Sequence, residues 1–226
     1  MAPPAHKPPE MSVSVKICGI TSAEAADAAI EAGAAYGGLV FHPRSPRCLS
    51  LEAGAALAAR LRGRLRTVAL IADLDDVGIE AVVQAVRPDL LQLHGSESVA
   101  RVAAIRTRFG LPVIKAVAIA EAGDLSALPE IEAVADMLLF DARPPADAAY
   151  RGGHGAAFDW KILSGRRFSK PWFLAGGLTA DNVARAIALS GAQLVDVSSG
   201  VESAPGVKSA ARIAEFTAAV RDEVRA

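Results

Sequence analysis

The stretches Leu174-Ala175-Gly176-Gly177 and Val197-Ser198-Ser199-Gly200 decide how this chain is expected to fold. Each closes a short apolar run with a glycine-rich turn, and the first leads through Thr179 into a helix-like segment. Counted along the chain, these runs are the seventh and eighth of their kind. Glycine lets the backbone approach a ligand closely, and exposed N–H groups bind phosphate oxygens. Either turn alone would be no more than a tight connection. Both together, after consecutive strands, favour a phosphate cradle, because closed α/β barrels commonly hold a phosphate there. The structural rival is an open doubly wound sheet, whose first strand typically runs into GxGxxG. No such motif follows the first run here.

Working outward, short apolar runs near 13–18, 36–41, 66–72, 89–93, 112–116 and 136–140 precede those near 171–175 and 193–197. Longer amphipathic segments separate them. Ile79, Val82, Val83 and Val86 recur with helical spacing, as do Ile213, Phe216, Thr217 and Val220. Thr21 with Glu24 has capping-box spacing, and Ser50 and Thr179 are expected N-caps. Eight strand–helix units without a break in composition predict an α/β fold, a single (βα)8 TIM barrel over residues 13–226 with an outer layer of helices. Residues 1–12, with four prolines, read as a short disordered tail rather than a signal peptide. Hydrophobic residues make up 52% of the 226 and aromatics 5%, so alanine and valine fill the core.

A net charge of −1 argues against nucleic acid as the main partner. The arginines at 60, 62, 64 and 66 read as a solvated helix end and turn. No apolar run approaches the roughly 20 residues of a membrane span. Cys18 and Cys48 offer neither a disulfide framework nor zinc spacing, so a cytosolic protein is expected. A monomer and a homodimer both fit the apolar helix faces.

In a barrel the active site gathers at the C-terminal ends of the strands. Alternation along a strand then sorts the polar residues. Lys16 and Cys18 share the inner face of the first strand, with Cys18 at the mouth. Gln92 and His94 follow on the fourth, Asp141 ends the sixth, and Asp196 and Ser198 end the eighth. A free thiol titrates near about 8.5, and a nearby cation such as Lys16 can lower it towards neutrality, giving a thiolate base. Equally, Cys18 can be a small buried hydrophobe. Asp141 closes the apolar run Met137-Leu138-Leu139-Phe140 either as a cap or as a site residue that partial burial keeps protonated for donation.

Arg47, in the proline-stiffened Phe41-His42-Pro43-Arg44-Ser45-Pro46-Arg47, reads as a bidentate carboxylate holder or as a plain surface arginine. The loop after Asp141, with Gly152-Gly153-His154-Gly155, reads as a mobile lid or a plain surface loop. His42, His94 and His154 would share the catalytic face, but no fixed spacing or paired carboxylate supports a metal, and none is expected.

These pieces in this order resemble phosphoribosylanthranilate isomerase over about residues 13–220. The resemblance rests on Val15-Lys16-Ile17-Cys18-Gly19-Ile20-Thr21, Gly38-Leu39-Val40-Phe41 with Ser45-Pro46-Arg47, Leu91-Gln92-Leu93-His94-Gly95 and Leu138-Leu139-Phe140-Asp141. It continues through Gly152-Gly153 with Gly155, Phe158-Asp159-Trp160, Leu174-Ala175-Gly176-Gly177-Leu178 and Asn182. It ends with Val195-Asp196-Val197-Ser198-Ser199-Gly200-Val201-Glu202, Pro205-Gly206 and Lys208.

The resemblance implies an Amadori rearrangement of a phosphosugar in tryptophan biosynthesis, with Asp141 as general acid and Cys18 as general base. It implies that Arg47 holds the anthranilate carboxylate, that Gly176, Gly177, Ser198, Ser199 and Gly200 hold the phosphate, and that Lys16, Gln92, His94, Gly153, Gly155 and Asp196 complete the substrate contacts. It implies no cofactor, because the substrate's own nitrogen serves as electron sink. His42, His154 and Asp73 depart from the usual pattern of the family without removing a catalytic group. Two rivals remain at this point. One is a histidine-pathway phosphoribosyl isomerase, which would show a half-chain repeat and a carboxylate pair. The other is a phosphosugar-binding barrel without catalysis.

Overall fold

Eight short segments rich in Val, Leu and Ile, nearly all of them buried, pair side by side in chain order until the last meets the first. Such runs suit parallel strands covered on both faces. The computed structural model describes residues 13–143 and 157–225. Its strands are β1 (Ser14–Cys18), β2 (Tyr36–Val40), β3 (Arg66–Ile71), β4 (Leu90–Leu93), β5 (Val113–Ile119), β6 (Met137–Ala142), β7 (Trp172–Leu174) and β8 (Leu194–Val197). They close into one parallel barrel. All eight expected strands are present; β5 runs longer than its apolar core suggested and β7 is shorter. The Pro-rich tail at 1–12 and most of the glycine-bearing loop after Asp141, with Gly153, His154 and Gly155, lie outside the described residues.

Helices α1 (Ala23–Glu31), α2 (Leu51–Leu61), α3 (Asp76–Val86), α4 (Val99–Phe109), α5 (Leu128–Val134), α6 (Val183–Ser190) and α7 (Ala210–Arg225) alternate with the strands. The exception among the described residues is the β6–β7 connection, which carries a 3-10 turn at Trp160–Leu163. Ile79, Val82 and Val86 are buried on α3, and Ile213, Phe216, Thr217 and Val220 on α7, as the helical spacing required. Val83 is only half-buried. Ser50 caps α2 by accepting from Ala53 N. Two expected caps are corrected. Ser22, not Thr21, caps α1, and the Thr21 hydroxyl instead donates to the Gly206 carbonyl at 2.7 Å. Thr179 does not cap α6; its N–H donates to Asn182 Oδ1, which pins the turn before the helix. After β8 the chain makes a small antiparallel hairpin, β9 (Glu202–Ala204) and β10 (Val207–Lys208), before α7.

Inside the barrel, Tyr36, Val68, Leu90, Ile114, Met137, Leu139 and Phe173 form a packed floor. Tyr36 and Phe173 meet edge to face at 5.2 Å. Filling of this kind makes a barrel a core rather than a pore. The site therefore has to sit above the floor, at the strand C-termini. Among the described residues no helix is long and apolar enough to cross a membrane.

Candidate active site

Polar residues begin where the apolar floor ends. Lys16 and Asp196 are register partners on β1 and β8, so both point inward at one level. The Lys16 ammonium, fully buried, donates to Asp196 Oδ1 at 2.8 Å. Cys18, one pleat higher on β1, faces Gly38 of β2. A side chain on Gly38 would lie 3.1 Å from Cys18 Sγ and 3.3 Å from Lys16 Nζ. Glycine at this position leaves the room in which thiol and ammonium sit side by side.

Cys18 and Asp141 open onto a single cavity together with His42, Arg47, His94, Asp196 and Ser198, over an apolar side of Val40, Leu70 and Ala72. Its empty space, open mouth included, is about 470 Å³, within the range of small-molecule sites. Asp141 Oδ1 accepts from Ala142 N at 2.9 Å. Its Oδ2 meets His94 Nε2 at 3.2 Å, and His94 Nδ1 meets Gln92 Nε2 at 2.8 Å. Gln92 Oε1 is buried without a hydrogen-bond partner. The chain Gln92–His94–Asp141 thus fixes the carboxyl from below, with the imidazole tautomer deciding which atom carries the shared proton.

Burial pushes the Cys18 thiol above its ordinary value. Lys16 and Lys208 pull it back, and Asp196 opposes them. The expectation that Lys16 would bring the thiol towards neutrality is corrected, because burial, with Asp196 acting in the same direction, outweighs the pull of the lysines. Lys16 and Gln92, expected among the substrate contacts, are fully buried beneath the cavity, and neither appears in its lining. Each instead holds a residue that does, Asp196 and His94 respectively.

Arg47 reaches the cavity but is no surface arginine, being only 4% exposed. Its Nε and Nη2 donate in bidentate fashion to Glu202 at 2.6 and 2.8 Å. The fork expected for a ligand carboxylate is thus held by the protein's own carboxylate. The Arg47 stem lies on the backbone of Gly19 (φ 77°), where an added Cβ would overlap its Cδ.

The two glycine turns meet above β7 and β8. Of the five residues expected to hold phosphate, Ser198 lines the cavity, while Gly176, Gly177, Ser199 and Gly200 are half-buried and do not appear in its lining. Gly176 and Gly177 have φ of 85° and 62°, conformations natural to glycine. A Cβ on Gly200 would overlap the carbonyl oxygen of Leu178, so the two loops touch through backbone. Asn182 secures the first loop by donating to the Gly177 carbonyl at 2.9 Å.

Three participants went unassigned in the sequence. Glu202 and Lys208 lie in stretches that resemble the family, but Glu202 pairs with Arg47, which is far away in the chain, and Lys208 is drawn in through Glu202. Lys115, the third, donates to Glu97 (2.7 Å) and to the Gly95 carbonyl (2.8 Å), fixing the loop that follows His94. Asp73 joins this network. At φ 52° it accepts from Ser96 N at 2.7 Å. That conformation is one that Asn and Asp share, which accounts for Asp where the family often has Asn. Cys48 is exposed.

A family model described as N-(5'phosphoribosyl)anthranilate (PRA) isomerase matches residues 15–219. An N-(5'-phosphoribosyl)anthranilate isomerase of Cereibacter sphaeroides is 53% identical over 209 residues, covering 92% of this chain and 99% of that protein. The crystal structure of phosphoribosyl anthranilate isomerase from Thermotoga maritima superposes with a TM-score of 0.83 at 33% identity, over 93% of this chain and 99% of that one. A second isomerase structure, in complex with reduced 1-(o-carboxyphenylamino)-1-deoxyribulose 5-phosphate, gives a TM-score of 0.79 at 31% identity, with 93% and 99% covered. This chain belongs to the N-(5'-phosphoribosyl)anthranilate isomerase family.

Proposed function

We propose that this protein converts N-(5-phosphoribosyl)anthranilate to 1-(2-carboxyphenylamino)-1-deoxyribulose 5-phosphate in tryptophan biosynthesis, with Asp141 as acid and Cys18 as base. The observation that carries the reading is the opening of Cys18 on β1 and Asp141 on β6 into one cavity that Ser198 and Arg47 also line. A related isomerase holds a reduced form of the proposed product, which supports a ligand with a carboxylate at one end and a phosphate at the other.

Asp141 gives a proton to the furanose ring oxygen. The C1′–O bond breaks as the anthranilate nitrogen donates its lone pair, leaving a cationic C=N bond and a free hydroxyl. The cation acidifies the C2′ hydrogen. Cys18, as thiolate, takes that proton, and the C–H electrons form C1′=C2′ while the nitrogen recovers its lone pair. The resulting enolamine tautomerises, gaining a proton at C1′ and losing one from the C2′ hydroxyl to give the ketone. Atoms and charge balance without an external electron acceptor.

Burial makes the Cys18 thiol a weak acid, and hence a strong base once ionised. The cationic intermediate beside it favours the thiolate at the step that needs it. Arg47 meets the anthranilate carboxylate, and the turns at Gly176–Gly177 and Ser198–Gly200 meet the phosphate. Asp196 and His94 face the sugar, with Lys16 and Gln92 behind them. Gly153 and Gly155 are assigned to the substrate side by family resemblance. A cytosolic setting, as monomer or homodimer, belongs to the same reading, since two unpaired cysteines suit a reducing compartment. The test is the fluorescence decay of freshly made phosphoribosylanthranilate, run beside a histidine-pathway aminoaldose. Rapid loss of the first supports the assignment; turnover of the second alone overturns it.

A further inference from the structure

The hairpin after β8 carries charges that the reaction itself does not use. Glu202, 6% exposed, takes three charge-assisted hydrogen bonds. Its Oε1 accepts from Arg47 Nε at 2.6 Å and from Lys208 Nζ at 2.7 Å, and its Oε2 accepts from Arg47 Nη2 at 2.8 Å. Lys208, whose ammonium end is enclosed, also donates to the Ser198 carbonyl at 3.0 Å and hydroxyl at 3.2 Å. One carboxylate thus touches the arginine of one proposed subsite and, through one lysine, the loop of the other.

The hairpin is held down rather than free. Thr21 donates to the Gly206 carbonyl, and a Cβ on Gly206 (φ 80°) would stand 2.7 Å from the Pro46 carbonyl. Arg212 donates to the Glu202 carbonyl. The hairpin therefore spans the loops after β1 and β2, with Glu202 at its root.

We propose that Glu202 is a positioning residue shared by both ends of the substrate site, fixing Arg47 directly and the Ser198 phosphate loop through Lys208. The proposal rests on the isomerase reading, from which the roles of Arg47 and Ser198 come. It has a consequence that simple charge counting would reverse. Removing a negative charge from an anion site ordinarily strengthens anion binding. Here the loss of Glu202 removes the carboxylate that orients the guanidinium through two hydrogen bonds and strips Lys208 of its counter-ion. Burial already pushes Lys208 below the ordinary lysine value, and Glu202 pulls it back up. The other groups facing Lys208 are Cys18, whose thiolate would also favour the ammonium, and Arg47, which disfavours it. Without Glu202, Lys208 sheds its proton at lower pH.

The experiment measures inhibition of the intact enzyme by anthranilate and, separately, by inorganic phosphate, in wild type, Glu202→Gln, Glu202→Asp and Lys208→Met. Glu202→Gln is expected to weaken both inhibitors about fivefold or more and to raise KM more than it lowers kcat. The alkaline rise in KM should begin at lower pH, and Glu202→Asp should restore part of each loss. Lys208→Met should weaken phosphate alone, which gives a readout if Glu202→Gln does not fold. Unchanged or tighter binding of both inhibitors by Glu202→Gln, loss of anthranilate affinity only, or phosphate affinity unaltered in Lys208→Met overturns the proposal. A wild type inactive on phosphoribosylanthranilate overturns the isomerase reading and this proposal with it. An active wild type with an indifferent Glu202 overturns the proposal alone.

Discussion

Replacing Asp196 with asparagine isolates what the buried ion pair beneath the site contributes. Lys16 is wholly enclosed, and its carboxylate partner among the described residues, Asp196, lies 2.8 Å away. Burial opposes the Lys16 charge, but Asp196 and the neighbouring Cys18 more than offset it, holding the ammonium above the ordinary lysine value. Asparagine keeps a hydrogen-bond acceptor and removes the counter-charge. Taking one partner from a buried pair costs about 3–5 kcal/mol, and the retained acceptor places this case near the lower end. At roughly 2–4 °C per kcal/mol for a domain of this size, Tm should fall by about 6–12 °C.

The deficit should shrink towards alkaline pH. An uncompensated Lys16 releases its proton more readily when folded than when unfolded, so the unfolded chain binds more protons and stability rises with pH. Lys16→Met alone should cost less, because Asp196 borders the cavity and keeps some contact with water. The double variant Lys16→Met/Asp196→Leu should recover most of the loss, since an apolar pair needs no compensation. Thermal denaturation followed by circular dichroism reads all four proteins. An Asp196→Asn protein as stable as wild type, or a double variant worse than that single, would refute the ion-pair argument.

Other outcomes follow from the same geometry. Because the base must be ionised and burial raises the Cys18 thiol, kcat/KM should keep rising with pH through about 8.5, the ordinary thiol value. A profile that levels off near about pH 7 would mean a thiol lowered by its cations. Gly200→Ala drives a methyl group into the Leu178 carbonyl, a backbone clash that no rotamer relieves; phosphate inhibition should weaken at least tenfold, and an unaltered inhibition constant would contradict the contact between the two loops. His94→Ala removes the group fixing Asp141 from below, so kcat should fall with KM less affected. An effect confined to KM would make His94 a binding residue only.

Much of the arrangement was legible because it follows from periodicity. Alternation along β1 put Lys16 and Cys18 on one face, and the parallel register places them there. The glycine turns marked β7 and β8 because close backbone approach demands glycine. What alternation cannot supply is a partner. Arg47 and Glu202 are 155 positions apart, and Lys16 and Asp196 are 180 apart. Spacing alone therefore leaves Arg47 open between a carboxylate fork and a surface arginine, and shows neither its pairing with Glu202 nor the burial and Asp196 that raise the Cys18 thiol. The cap of α1 failed for a local reason: Thr21 and Ser22 are adjacent hydroxyls, and the hairpin carbonyl of Gly206 takes the first.

The measurement that bears most directly on paired acid–base chemistry is turnover of phosphoribosylanthranilate by Cys18→Ser and Asp141→Asn, each confirmed folded by its Tm. Proton transfer contributes about 10²–10⁴-fold, so both rates should drop by at least that lower bound. Near-normal turnover by either protein would contradict the assignment.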